Sequence, residues 1–192
     1  MLDNPLKFIE KNLDEFLKLK NNSTSNEKLI KLTEVVDDKG KLAIAKDSLG
    51  MTLINVEEEK INKQQVPEIV KNKGQIAYLN PEIRLNVSLL FTAYHSNYSE
   101  SLKAISHVIA YFQSHNVFRP ENHPGLDPAI KKLIFELSSH GYEELSYIWG
   151  LVGASYRPSV VYKMRLVAIQ EGLQRGSGKR VDKTDFQLHG AE

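Results

Sequence analysis

The sequence predicts an α/β (α+β) fold, in which a mixed β-sheet is flanked by helices. From Ile83 to Tyr94, apolar side chains alternate with mostly polar ones, which is the period of a β-strand. After this run, segments with helical and strand patterns alternate, and this order favours helices packed on a mixed sheet. At 192 residues, the chain is long enough to form one such domain with its own hydrophobic core.

An N-terminal helix is predicted from about residue 4 to residue 19. Asn4 is a favourable helix cap, and Pro5 suits the first helical position because no backbone hydrogen bond is lost there. The pattern is typical of an amphipathic helix, since the apolar side chains fall on one face. These side chains are Leu6, Ile9, Leu13, Phe16 and Leu17.

Two strands and a long loop are expected after this helix. Residues 27–36 and 51–58 read as strands, and a weaker piece at 42–49 lies between them. Residues 59–82 are polar and show little periodicity, so we predict a loop there. Loops of this length are uncommon in compact domains unless they bind something or are disordered.

The second half of the chain is expected to contain two helices and two further strands. Ser99 can cap the first of these helices. Its apolar face is predicted to consist of Leu102, Ile105, Val108, Ile109 and Phe112. The remaining elements are a strand at 130–138, a helix at 142–152 that Gly153 closes, and a strand at 160–170.

We expect the domain to span residues 1–171, and residues 172–192 to form a tail that is flexible or ordered by assembly, because the tail has little apolar content. Residues 176–179, Gly-Ser-Gly-Lys, resemble the end of a phosphate loop. A Walker A motif would need Gly in place of Leu173 and Ser or Thr in place of Arg180. A flexible basic linker is therefore the favoured interpretation.

Composition excludes several classes of function. The chain has no cysteine, which rules out disulfides and thiol catalysis and fits a reducing compartment. Lys and Arg number 25 against 24 for Asp and Glu, so no overall basic field exists to hold nucleic acid or a membrane. No signal sequence and no run of roughly 18 apolar residues is found, so we expect a soluble protein made without Sec-type export.

The histidines and serines do not form a recognisable catalytic or metal-binding motif. His107 and His115 would lie about 80° apart on one helix, too far for one ion. Serines at 138, 139, 146, 155 and 159 surround His140, but a GxSxG motif is absent. We therefore expect no enzyme activity, no cofactor and no metal, and a small hydrolase using His140 and a nearby serine is the less favoured alternative.

Trp149 is the only tryptophan, and two interpretations are open for it. It lies at or near the face of the predicted helix that carries Leu145 and Val152, which favours a core position. It is also followed closely by Tyr156 and Arg157, and Trp, Tyr and Arg are the residues enriched at interface hot spots.

Three longer stretches carry a resemblance to a known family. They are LNPEIRLNVSLLFTAY at 79–94, LKAISHVIAYFQSHNVF at 102–118, and LIFELSSHGYEELSYIWGLVGASYRPSVVYKMRLV at 133–167, with the shorter VEEEK at 56–60. The chain resembles the N-terminal-domain family of cap, or tail-terminator, proteins from contractile injection systems of the antifeeding-prophage type, from about residue 4 to residue 171. None of these stretches is a catalytic signature.

This resemblance implies a tail-terminator-like α/β fold and a structural function. The family would act as a homo-hexameric ring on the distal end of a tube and sheath, where it stops polymerisation. The implied partners are the chain itself and the sheath and inner-tube proteins, with no nucleic acid and no membrane. Assembly would occur in the cytoplasm, and the particle would then be released outside the cell. A collar or baseplate accessory of the same particle is the alternative.

Contact with these partners is expected through exposed strand edges and two polar segments. A sheath or tube segment could add a strand to the sheet by β-augmentation. Residues 60–79 and 172–192 are the predicted contact segments because of their length and polarity. The predicted interface residues are Gln65, Val66, Ile69, Trp149, Tyr156, Arg157, Arg175, Lys179 and Arg180.

Overall fold

The computed structural model describes residues 2–59, 68–72, 75–79, 83–168 and 177–179. Within these ranges the chain forms three helices and nine strands. The helices are α1 (Asp3–Lys20), α2 (Tyr98–Ser114) and α3 (Tyr142–Leu151). The strands are β1 (Ile30–Leu32), β2 (Ser48–Glu58), β3 (Glu68–Asn72), β4 (Gln75–Leu79), β5 (Ile83–Tyr94), β6 (Val117–Phe118), β7 (Ile130–Ser138), β8 (Ser159–Ala168) and β9 (Ser177–Lys179).

A six-stranded mixed sheet forms the centre of the fold, with the strand order β1-β2-β5-β8-β7-β6. Only the β1–β2 pair is parallel, and the other pairs are antiparallel. β5 pairs with β2 from Leu85 to Tyr94 on one side and with β8 from Ile83 to Thr92 on the other. The predicted mixed sheet flanked by helices is thus confirmed, and the longest period-two run in the sequence is one of its two central strands.

β3, β4 and β9 form a second, three-stranded antiparallel sheet. The prediction of a loop over residues 59–82 is therefore wrong for Glu68–Asn72 and Gln75–Leu79, which form a hairpin. Backbone hydrogen bonds define these strands, and such pairing does not require an apolar period in the sequence. The third strand, Ser177–Lys179, lies within the predicted tail. These three residues pair with β4 of the same chain.

The main hydrophobic core lies between α1, α2 and one face of the six-stranded sheet. Its centre is aromatic: the Phe112 ring on α2 lies 4.4 Å from Phe135, 4.6 Å from Tyr162 and 5.5 Å from Phe91, measured between ring centroids. These partners belong to three adjacent strands, β7, β8 and β5. Each buried aromatic side chain removes about 150–250 Å² from water, so this cluster contributes much of the burial energy of the core.

A smaller core covers the opposite face of the same sheet. It consists of Leu90 and Val161 on the sheet, Trp149 on α3, and Val35 and Ile44 from the segment between β1 and β2. Because both faces are covered at this end, consecutive residues of β5 are buried where the alternating pattern predicts one face only.

Two acidic side chains on α1 join this helix to the edge strand β1. The Glu10 carboxylate accepts hydrogen bonds from the Lys28 ammonium at 3.0 Å and the Leu32 amide at 3.3 Å. The Asp14 carboxylate accepts one from the Leu29 amide at 2.7 Å. Both acids are buried, so α1 occupies backbone donors at the edge of the sheet that would otherwise be open.

Several predicted boundaries and caps differ from the structure. α1 begins at Asp3 and its cap position is Leu2, which makes no side-chain cap bond, so the predicted cap at Asn4 is wrong. Asn97 caps α2, because its side chain accepts a hydrogen bond from the Ser99 amide at 2.9 Å, so the predicted cap at Ser99 is also wrong. The strand predicted at 27–36 is only three residues long, Ile30–Leu32.

Candidate functional site

α3 exposes three of its large apolar and aromatic side chains. Trp149 is its only buried residue. The exposed fraction is 96% for Tyr142, 69% for Tyr147 and 75% for Leu151. A helix with so many exposed aromatic and aliphatic side chains is unusual on a solvated surface, whereas Tyr is among the residues enriched at protein interfaces.

Residues at both ends of this helix favour its start and its stop. Glu143 and Glu144 lie in its first turn, where their charge is favourable to the helix dipole. Gly153 follows the last turn with a φ of +69°, a backbone conformation that residues other than glycine rarely adopt. The chain then turns away through Tyr156, Arg157 and Pro158 into β8.

An open groove of 670 Å³ runs along one side of α3. Its lining combines small residues with aromatic ones. The lining residues are Tyr142, Leu145, Ser146, Trp149, Gly150, Gly153, Ala154, Ser155 and Tyr156. The groove contains no converging set of ionisable groups, so its composition suits contact with another protein surface more than a reaction.

Aromatic contacts hold the wall of this groove in place. The Tyr156 ring meets Trp149 edge to face, with 5.6 Å between ring centroids, and Tyr156 itself is 60% exposed. Trp149 is 5% exposed. The core interpretation of Trp149 thus agrees with the structure, and Trp149 supports the exposed Tyr156.

His140 lies between a serine and a glutamate at the start of α3. Its Nε2 is 3.0 Å from the Ser138 hydroxyl, and its Nδ1 is 3.1 Å from the Glu144 carboxylate. The order serine, histidine, acid is that of a hydrolase triad. Glu144 is however in the first turn of α3 and His140 directly precedes the cap Gly141, so the same bonds fix the start of the helix. The sequence pattern indicated His140 and the serine, whereas Glu144 was not predicted as their partner.

A second groove, of 430 Å³, lies at the other end of the sheet and is rich in basic side chains. Its lining residues are Glu59, Arg84, Lys131, Lys132, Ile134, Arg165 and Val167. The Arg165 guanidinium also donates to the Glu136 carboxylate at 3.0 Å. Although the net charge of the chain is only +1, basic side chains are concentrated around this groove.

The turn between β5 and α2 contains a half-buried histidine, His95, beside an acidic residue. Burial lowers the pKa of His95, and the nearby charges of Asp47 and Glu100 oppose this effect. The Ser96 amide donates to the Asp47 carboxylate at 2.8 Å, and this hydrogen bond holds the pKa of Asp47 below its ordinary value. The pKa of Glu100 is lowered as well, first by its hydrogen bond with Lys103, so the pKa values of both carboxyl groups and of the histidine lie below their ordinary values.

Other kinds of site find little support in the part of the chain that the structure describes. Within residues 2–59, 68–72, 75–79, 83–168 and 177–179, no group of three or more His, Asp or Glu side chains is placed to hold a metal ion. Among the same residues, no helix combines the length and the hydropathy needed to cross a bilayer.

The structure separates the predicted interface residues. Tyr156 and Trp149 line the α3 groove and their rings are in contact, whereas Arg157 lies over the ring of Tyr94. Ile69 and Lys179 lie on β3 and β9 of the small sheet. The others, Gln65, Val66, Arg175 and Arg180, lie outside the described residues. Three residues on the outer side of α3 were not predicted as interface residues: Tyr147, Gly150 and Leu151. The available signal was the four-residue spacing of Tyr147 and Leu151, which places them on one side of a helix.

Two solved structures share this fold. One is described as the "PVC sheath/tube terminator in extended state" of an extracellular contractile injection system, with a TM-score of 0.63 and 12% identity over 96% of this chain and 63% of that one. The other is described as the "anti-feeding prophage cap (AFP tube terminating cap)", with a TM-score of 0.59 and 13% identity over 94% of this chain and 60% of that one. This chain thus spans about three fifths of the length of either.

No curated protein matches the sequence. The sequence does match a family, the Pvc16 N-terminal domain, over residues 7–183. This match covers most of the chain, from α1 through β9. The chain therefore belongs to the Pvc16 N-terminal domain family.

Proposed function

We propose that this chain is a structural cap that terminates the tube and sheath of a phage-tail-like contractile injection particle. The observation that carries the proposal is the fold, which this chain shares over 96% of its length with a sheath/tube terminator and over 94% with a tube-terminating cap. Membership of the Pvc16 N-terminal domain family supports the same assignment.

A terminator needs surfaces for docking and has no need of a reaction centre. The exposed aromatic surface of α3 and its open groove supply such a surface. In this proposal the chain binds the sheath and inner-tube proteins and joins identical copies in a homo-hexameric ring. Identical subunits joined head to tail form a closed ring when the rotation between neighbours allows it.

The proposal also includes the place of action. The chain assembles with the tube and sheath in the cytoplasm and remains on the particle that is released from the cell. It has no catalytic role, and the bonds that join Ser138, His140 and Glu144 serve to fix the start of α3.

Deletion of the gene tests the proposal, with tube and sheath lengths measured by electron microscopy. We expect particles with uncontrolled tube lengths or open distal ends, and we expect the intact gene to restore normal ends. A His140→Ala gene should restore them as well. Particles that end normally after deletion would contradict the proposal.

The position of the chain on the particle separates a cap from a collar or a baseplate accessory. A tagged copy labelled with gold should appear at the end opposite the baseplate. Label at the baseplate would favour the accessory role, and turnover of a small molecule that disappears with His140→Ala would favour the hydrolase.

A further inference from the structure

Among the residues that the structure describes, α2 and α3 each carry an exposed apolar stripe. On α2, the exposed fraction is 64% for Tyr98, 47% for Leu102 and 37% for Ile109. At 100° per residue these three positions fall within about 40° of one another, so they form one stripe along the helix. Leu102 and Ile109 were predicted on the buried face of α2, and this prediction is wrong because both side chains are exposed.

The surface of α3 has the shape that a partner helix requires. Tyr147 and Leu151 are four residues apart and form a ridge. Beside it, the small residues Ser146 and Gly150 form a shallow groove, which we call the low row. A Cβ placed on Gly150 would meet no atom within 4 Å, so the row is open to solvent. Ridges of one helix pack into grooves of this kind on another helix.

The two stripes lie on opposite faces of the central sheet. α2 packs on Phe91 and Tyr162, whereas α3 packs on the neighbouring residues Leu90 and Val161. Successive residues of a strand point to opposite faces, so one subunit presents the α2 stripe on one side and the α3 stripe on the other.

The exposed area is close to what a stable contact between two copies needs. With about 200 Å² for a fully exposed large side chain, the α2 stripe, the Tyr147 and Leu151 ridge and the two exposed tyrosines of the α3 groove together expose on the order of 900 Å². The side chains counted are Tyr98, Leu102, Ile109, Tyr142, Tyr147, Leu151 and Tyr156. A standard interface buries about 1,600 Å² in total, of which somewhat more than half is apolar, or roughly 900 Å².

We propose that the α2 stripe of one copy docks into the α3 groove of the next copy. Leu102 and Ile109 enter the low row formed by Ser146 and Gly150, and the Tyr147 ridge packs beside α2. Because the two surfaces differ and lie on opposite sides of the subunit, the contact is head to tail and propagates until the ring closes. The assignment of this contact to a ring of identical copies rests on the proposed function.

Two substitutions block one surface each. Gly150→Arg places a long charged side chain in the open row of α3, and Leu102→Arg places one in the α2 stripe. Both positions are exposed, so each variant should keep its fold, which circular dichroism and thermal melting can verify. Ala129→Arg, at an exposed turn outside both stripes, is the matched control.

Sedimentation velocity over a concentration series measures the effect. We expect the unmodified chain and the control to self-associate, and each blocked variant to associate at least tenfold more weakly. An equimolar mixture of the two blocked variants should form dimers and nothing larger, because the intact α3 of one meets the intact α2 of the other. An unmodified chain that stays monomeric throughout, or a mixture that fails to dimerise, would overturn the proposed interface.

Particle assembly separates this inference from the proposed function. If both blocked variants restore normally terminated tubes in the deletion strain, the interface is wrong while the cap function stands. If the deletion strain itself produces normally terminated tubes, the cap function is wrong whatever the sedimentation result.

Discussion

The guanidinium group of Arg157 lies 4.4 Å from the centre of the Tyr94 ring. Tyr94 is the last residue of β5, and Arg157 belongs to the turn that leads from α3 into β8. Beside this contact, the Ala93 amide donates a hydrogen bond to the Pro158 carbonyl at 2.9 Å. Together these interactions fix the exit of α3 on the end of a central strand.

Removal of this cation–π contact should lower stability. We expect Arg157→Ala to reduce the free energy of unfolding by about 1 kcal/mol, the usual size of a partly desolvated contact of this kind. A double-mutant cycle with Tyr94→Leu in urea denaturation measures the coupling between the two side chains. Lys20→Ala is the control, because Lys20 lies 5.5 Å from the Phe16 ring at the end of α1 and should matter less. A coupling energy of zero would contradict the prediction.

Gly50 should tolerate no side chain. A Cβ at this position would lie 2.8 Å from both Cγ1 and Cδ1 of Ile44, which is buried in the smaller core. We expect Gly50→Ala to destabilise the fold by about 1–3 kcal/mol through overpacking.

Thermal and urea unfolding give this cost directly. The substitution should cost less in an Ile44→Ala background, where the clashing atoms are gone. Gly150→Ala is the matched control, since its Cβ would enter open space within a helix and should stabilise the protein slightly. Equal costs of Gly50→Ala in both backgrounds would mean that the Ile44 contact is not the cause.

The bond from Asp14 to β1 should contribute strongly to the position of α1. Asp14→Ala leaves the Leu29 amide without its acceptor, and we expect a loss of about 1–3 kcal/mol in the free energy of unfolding. Asp14→Asn keeps an oxygen acceptor and should lose less. Glu15→Ala, at the exposed adjacent position of the same helix, is the control for helix propensity. If Asp14→Ala and Glu15→Ala cost the same, the bond to Leu29 contributes nothing.

His95 should make stability depend on pH between neutral and mildly acidic conditions. Its pKa in the folded protein is below the ordinary value of 6.5, because burial disfavours the charged ring. The unfolded state therefore binds a proton first, so stability is complete above pH 6.5 and falls as the pH drops below it.

Urea unfolding as a function of pH measures this slope, and His95→Gln should flatten it. Asp47 acts in a separate window: its pKa is lowered from 3.8, so its contribution is lost only below that pH. An unchanged slope in His95→Gln between neutral pH and about pH 5 would assign the dependence to another group.

The parts of the fold with a strong period were predictable from the sequence. The run that forms β5 and the apolar face of α1 bury one side against a continuous core, so their patterns report their structure directly. The family resemblance was also correct, as was the end of α3 at Gly153. The secondary structure of such segments is determined mainly by neighbouring residues and by the burial of one apolar face.

The remainder depends on long-range pairing that no local pattern records. β3 and β4 are strands because their backbones pair with each other, and β9 joins them from about 100 residues further along the chain. The exposure of Leu102 and Ile109 likewise depends on where α2 meets the sheet, since an apolar residue beside the buried face can lie on either side of the boundary. The α3 groove follows from the same kind of placement.

The division of the hydrophobic residues into two cores has a consequence for motion. α3 buries only Trp149, in a cluster of five residues, whereas α1 and α2 are joined to a much larger one on the other face. Local opening of α3 should therefore require less free energy than global unfolding, and amide hydrogen exchange should be faster there than in α1. A chain with this hierarchy can adjust α3 while the rest of its framework stays closed.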